Sequence, residues 1–117
     1  MTTAAMSGVP FKLQDATTTG NGNIICPPPS FRNHTLIVTS AAGVTAGAVQ
    51  PEVSNYPTDA GTWAPIGGGP VTVPAASTDL LIEFTGLYAA IRARITTTIS
   101  GGATPSVTVS YNGAKSY

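Results

Sequence analysis

From Tyr88 to Ile99 the chain alternates without a break. Ala89, Ile91, Ala93, Ile95, Thr97 and Ile99 fall on one side, and Tyr88, Ala90, Arg92, Arg94, Thr96 and Thr98 on the other. Side chains change face at every residue of a strand, so this period of two predicts a long β-strand with one apolar and one polar face. A helix would repeat its apolar residues at three- and four-residue spacing. Threonine and isoleucine, branched at Cβ, are also poor helix material. Gly101 and Gly102 end the strand, and Pro105 closes a short loop. Val107, Val109 and Tyr111 then alternate with Ser106, Thr108 and Ser110. The two strands are expected to pair as a long antiparallel hairpin at the C-terminal end.

Shorter runs of the same kind fill the rest of the chain. Phe11 and Leu13 share a face across Lys12 and predict a first short strand, and residues 15–23 (DATTTGNGN) form a loop by composition. Asn23 to Cys26 is a brief run halted by Pro27, Pro28 and Pro29. Consecutive prolines fix an extended backbone without donors, which suits a rigid crossover between sheets better than a ligand for an aromatic groove. His34 to Thr39 is apolar on both faces at Leu36, Ile37 and Val38, so it is expected to lie centrally or to meet a partner. Val44 to Ser54 reads as extended, with its phase slipping between Gly47 and Val49. Pro51 cannot donate to a ladder and predicts an edge position or a bulge there. Turn residues from Asn55 to Gly61 lead to Trp63, to Gly67–Gly69 and to a short strand at Val71–Val73. In Asp79 to Phe84, Leu80, Ile82 and Phe84 point inward and Leu81 and Glu83 outward.

About eight or nine short strands, Gly/Pro turns between them and no helical period predict an all-β fold. The expected architecture is an antiparallel β-sandwich of jelly-roll or immunoglobulin-like connectivity. Residues 1–10 are expected to form an N-terminal arm and residues 11–117 a single domain. Its core should hold Ile91, Ile95, Ile99, Val107, Val109, Leu80, Ile82 and Phe84.

Composition sharpens this picture in one respect. Five Lys/Arg and five Asp/Glu make only 9% of the residues charged, against about a quarter in an average soluble domain. A surface so poor in charge disperses badly unless much of it lies against neighbours, and that favours an assembly over a free monomer. Net charge is zero, which recommends neither nucleic acid nor an anionic membrane as partner. The single cysteine, Cys26, cannot form an internal disulfide. The N-terminal stretch lacks the basic start and apolar run of a signal peptide, and no segment reaches the roughly 18 apolar residues of a membrane span. Synthesis in a cytoplasm is the expectation.

Candidate chemistry is sparse. His34 is the only histidine, and no acid or nucleophile forms a recognisable motif around it. Cys26 has no second Cys or His at metal-ligand spacing, and the five carboxylates are scattered singly. Gly67–Gly69 lacks the Lys-Ser/Thr and helix of a phosphate loop, and Asn33-His34-Thr35 is a glycosylation sequon without a secretory signal. Arg92 and Arg94 share the outer face of the long strand, where Glu83 or Asp79 across the sheet, or acids of a neighbouring subunit, would pair with them. Trp63 is expected in a core or an interface, with a sugar-stacking platform as the rival. No catalytic, cofactor-binding or metal-binding residue is expected.

The segments AGAVQPEVSNYPTDAGTWAPIGG and TGLYAAIRARITTTISGGATPSVTVSYNG, between Ala46 and Ala114, resemble small β-sandwich virion proteins of tailed bacteriophages. Those proteins serve as capsid decoration or cement proteins, head fibres, or tail and baseplate components. The resemblance rests on an acid-bearing strand leading through a turn to Gly61-Thr62-Trp63 and Pro65-Ile66-Gly67. An arginine-bearing strand follows, then a Gly-Gly loop and a last strand ending in Asn112-Gly113. It does not extend to the first 40 or so residues. It implies a non-enzymatic virion structural protein without cofactors, first of all a decoration protein seated as a homotrimer on the major capsid protein. The rivals are a tail, collar or baseplate component, and a carbohydrate-binding module with Trp63 and Tyr56 as its platform. On the first reading the protein is made in the host cytoplasm and ends on the capsid surface. Met1, Met6, Val9, Phe11, Trp63, Arg92, Arg94 and Tyr117 are then its expected interface residues.

Overall fold

The computed structural model describes residues 11–14, 17–28, 30–55, 62–66, 69–74 and 78–114, with backbone alone for 11–14. The expected arm at residues 1–10, Tyr56 and Tyr117 lie outside the described residues. The strands are β1 (Phe11–Gln14), β2 (Ile24–Ile25), β3 (Asn33–Ser40), β4 (Ala46–Ser54), β5 (Trp63–Pro65), β6 (Val71–Thr72), β7 (Asp79–Thr85), β8 (Ala90–Ser100) and β9 (Val107–Ala114). No helix occurs among the described residues. One sheet has the order β1-β9-β3-β7; the other runs β2-β8-β4-β5, with β6 also beside β4.

All these pairings are antiparallel, and their pattern is orderly. β1 pairs with β9, β2 with β8, β3 with β7 and β4 with β5. That is one long hairpin, bent between β4 and β5, wound so that successive strand pairs fall in alternate layers. Pairing of β9 with β3 and of β8 with β4 completes each sheet. The expected β-sandwich is therefore a jelly roll and does not have immunoglobulin-like connectivity.

The expected hairpin of the last two long strands is not formed. β8 and β9 lie in different sheets and face one another across the core. Each carries one apolar stripe, and two stripes bury each other fully only from opposite layers. Ile91, Ala93, Ile95 and Ile99 of β8 pack in one buried cluster with Val107, Val109 and Tyr111 of β9, Leu36 and Val38 of β3, and Val49 of β4. The link between the layers needs glycine. Gly101 and Gly102 adopt φ of 99° and 83°, and a Cβ on Gly101 would stand 2.6 Å from the Gly43 carbonyl oxygen.

Other expectations hold in part. β3 is central, and the Pro27–Pro28 segment does pass from the sheet of β2 to that of β3. Leu80, Ile82 and Phe84 face inward yet are only half-buried, because β7 is the outermost strand of its sheet. β4 carries the expected irregularity, with register shifts on both sides of Ala48. Pro51, however, sits inside the sheet, opposite Ala93. Its carbonyl accepts from the Ile66 amide at 2.9 Å, so its absent N–H faces the same side. There it falls between the β6 pairing at Ala48–Val49 and the β5 pairing at Glu52–Ser54. The ladder bond that Pro51 cannot give would go to the Ile66 carbonyl, which instead accepts from Gln50 Nε2 at 3.4 Å.

Ile95 is buried at the middle of this core. Truncation to alanine is expected to cost about 2–5 kcal/mol, read as a lowered urea midpoint with the slope unchanged. A variant as stable as the parent would contradict the layer assigned to β8.

Candidate functional site

Gln50, Glu52 and Ser54 alternate along β4 with Val49, Pro51 and Val53, and so turn away from the core. The register with β8 sets Gln50 beside Arg94, Glu52 beside Arg92 and Ser54 beside Ala90. β5 adds Trp63 opposite Ser54 and Pro65 opposite Glu52. The outer face of this sheet thus gathers two arginines, one acid and the single tryptophan.

Arg92 Nε donates to Glu52 Oε1 at 2.8 Å, and Arg94 Nε donates to Glu52 Oε2 at 3.2 Å. The Arg92 Cζ lies 4.1 Å from the centre of the Trp63 ring. Trp63 therefore reaches across Ser54 and roofs the ion pair, a cation–π contact that also sheds water from it. Only 10% of the Arg92 side chain and 8% of Glu52 remain exposed. Arg94 keeps 41%. Among the described residues one carboxylate stands between the two guanidiniums, and Arg94 is the one that reaches the surface. A guanidinium holds its protons throughout the physiological range. This arrangement can grip an acidic group.

The partner of the arginines differs from the one expected. Glu83 and Asp79 stand on β7 in the other sheet, and Asp79 accepts a hydrogen bond from Thr39 Oγ1 at 2.9 Å. Glu52 takes their place. Of the expected interface residues, Trp63, Arg92 and Arg94 come together here. Phe11 lies on the other sheet, its backbone paired with Tyr111. Met1, Met6 and Val9 fall, with Tyr117, outside the described residues. One face of Trp63 is turned to Arg92, and its intended companion in a sugar platform, Tyr56, is also outside them.

His34 is a structural histidine. Its Nε2–H donates to the Gly86 carbonyl at 2.9 Å, and its Nδ1 accepts from the Tyr111 hydroxyl at 2.7 Å. Phe84 stacks on the ring at a centroid distance of 5.1 Å, with Tyr88 and Tyr111 each at 5.7 Å. A pocket of about 350 Å³ includes His34, Thr35, Glu83 and Thr85. By strand alternation the last three point to the opposite face of the sheet, and both ring nitrogens are already engaged. A second pocket of about 380 Å³, lined by Pro27, Pro28, Phe31, Leu87, Tyr88 and Ala89, is mostly apolar. Among the described residues, no group of three His, Cys, Asp or Glu side chains could hold a metal ion. Comparison with protein-family models, curated proteins and solved structures gave no match to the chain.

Glu52→Ala would remove the carboxylate that Arg92 and Arg94 share and is expected to cost about 3 kcal/mol or more. Arg94→Ala, at a far more exposed position, should cost under about 1 kcal/mol. Denaturation midpoints of the two variants test this ordering, and equal losses would contradict it.

Burial lowers the pKa of His34 from its ordinary 6.5, with the Gly86 carbonyl opposing the shift. The unfolded chain therefore binds a proton first as pH falls. The contribution of neutral His34 is complete above pH 6.5 and declines as pH drops from there toward the lowered folded value. Melting temperature should fall between pH 7 and 5 more steeply in the parent than in His34→Gln. Parallel profiles would contradict this.

Proposed function

We propose that this chain is a structural protein of a tailed-phage virion, and specifically a decoration protein held on the major capsid lattice. On this reading it does no chemistry. It adds buried contact between capsid subunits and so helps the shell resist internal pressure. The observation that carries the reading is the outer face of the β2-β8-β4-β5 sheet. Arg92 and Trp63 are locked over Glu52 there, and Arg94 presents a fixed, half-exposed cation suited to an acidic patch on a capsid subunit. Support also comes from the position of this cluster within the Ala46–Ala114 segment, the one that resembles phage virion proteins. Jelly rolls recur in viral capsid proteins and also in lectins, so the fold alone leaves both in play.

Virions purified by density from the source of this sequence are expected to contain the chain at many copies per head. Heads stripped of it should rupture at lower temperature and recover when purified chain is added back. Arg94→Glu should fail to restore them. Absence from purified particles would overturn the reading, and recovery with detached tails would move the protein from capsid to tail.

A further inference from the structure

Among the described residues, four of the five outer strands of this sandwich are protected from pairing with another chain; β6 is one of them, with two residues. β1 has four residues and a register shift between Lys12 and Gln14. β2 has two residues and runs into Pro27; β5 has three and ends on Pro65. Short strands, bulges and prolines are the devices by which native sheets blunt their edges. β7 has none of these three, and its only edge charges are Asp79 and Glu83. It runs for seven residues in unbroken register with β3, and each of these residues is half-buried or exposed.

The direction of its backbone groups follows from the register. The Gly86 amide donates to the Arg32 carbonyl at 2.9 Å, one step beyond the Asn33–Thr85 pair. The Arg32 amide itself turns to the Ala114 carbonyl. At the other end of β3, however, the Ala41 amide donates to the Ser106 carbonyl at 3.0 Å, one step beyond the Ser40–Val107 pair. Hydrogen-bonded pairs alternate along an antiparallel ladder, so residues 33, 35, 37 and 39 bond to β9 and residues 34, 36 and 38 to β7. Leu80, Ile82 and Phe84 therefore bond to β3. The N–H and C=O groups of Asp79, Leu81, Glu83 and Thr85 face outward from the edge. Apolar side chains flank this edge on both faces. Leu81 is 55% exposed beside Ile37 at 40%, while Leu80, Ile82 and Phe84 are half-covered beneath.

We propose that β7 is a self-association edge, and that two copies of the chain join by antiparallel pairing of β7 centred on Ile82. This register sets Asp79 opposite Thr85 and Leu81 opposite Glu83 of the second copy, so every outward donor and acceptor finds a partner. Leu80 meets Phe84 and Ile82 meets its own counterpart, which extends the core row across the junction. No acid faces an acid. Centring on Leu81 would instead oppose Asp79 to Glu83. The chain's zero net charge adds no long-range repulsion between copies. Such a contact is two-fold and closes on itself, unlike the trimer that the resemblance implies. It stands apart from the virion reading, since sedimentation of the purified chain tests it without any particle.

Sedimentation velocity across a wide concentration range should show a monomer–dimer equilibrium for the parent chain. Leu81→Pro removes an outward amide and spares the β3 ladder, so it should leave a folded monomer. Leu81→Glu places an acid opposite Glu83 and should weaken the dimer roughly tenfold or more. Leu81→Lys, opposite the same Glu83, should not weaken it. Ile82→Cys, made together with Cys26→Ser, should form a disulfide-linked dimer on oxidation, because the two Ile82 positions form a close pair. Circular dichroism confirms the fold of each variant. A strictly monomeric parent would overturn the proposal. So would an oligomer indifferent to Leu81→Pro and Leu81→Glu, or a dimer that Ile82→Cys fails to crosslink.

Discussion

Two apolar stripes pressed together from opposite layers govern this molecule. Ile91, Ala93, Ile95 and Ile99 lie against Val107, Val109 and Tyr111, and little else in the fold is free once that contact is made. The chain must leave one sheet and enter the other between Ser100 and Val107, which forces positive φ at Gly101 and Gly102. β8 then has its own sheet partners to find, and they come from far away in sequence: β2 on one flank and β4 on the other. The polar residues between the stripe positions of β8 are turned outward in a fixed order. That order brings Arg92 and Arg94 to a single acid.

Burying Arg92 has a cost that the fold offsets locally. A guanidinium taken out of water is tolerated when its charge is paired and its flat faces are covered. Glu52 supplies the first condition and Trp63 the second. The same economy appears at His34, where burial would leave two ring nitrogens wanting and Gly86 and Tyr111 answer both. In each case a buried polar residue is fixed from two sides. These are sources of rigidity, and a rigid face costs less entropy to dock than a mobile one.

Periodicity made the strands legible, because a two-residue repeat along Tyr88–Ile99 or Asp79–Phe84 has one structural meaning. The inward and outward assignment of Ile91 and Arg92 followed from it directly. Strand partners were another matter. Nothing local in β8 distinguishes β9 from β4 as its neighbour, since both offer alternating apolar residues, and proximity along the chain favours the wrong one. With the partner misassigned, Glu52 could not be identified as the acid between the arginines; only the β4–β8 register brings it there. Pro51 argued for an edge or a bulge, and β4 does carry the bulge near Ala48; what alternation could not show is that the Gln50 side chain serves the Ile66 carbonyl in place of the missing amide. The half-burial of Leu80, Ile82 and Phe84 likewise depends on which strand ends the sheet, a property of topology that alternation does not encode.

The wound hairpin also sets the order in which this protein can come into being. β1, near the start of the chain, takes its ladder from β9 near the end, and β2 takes its own from β8. Only β4, β5 and β6 find neighbours close by in sequence. During synthesis the early strands therefore emerge with no sheet to join, and the last strand supplies the missing surface for both β1 and β3. Contacts this distant make folding slow compared with a helical domain of the same length. A truncated or stalled chain would display β1 and β3 without their shared neighbour. For this protein the codons of β9 decide whether those of β1 were worth translating.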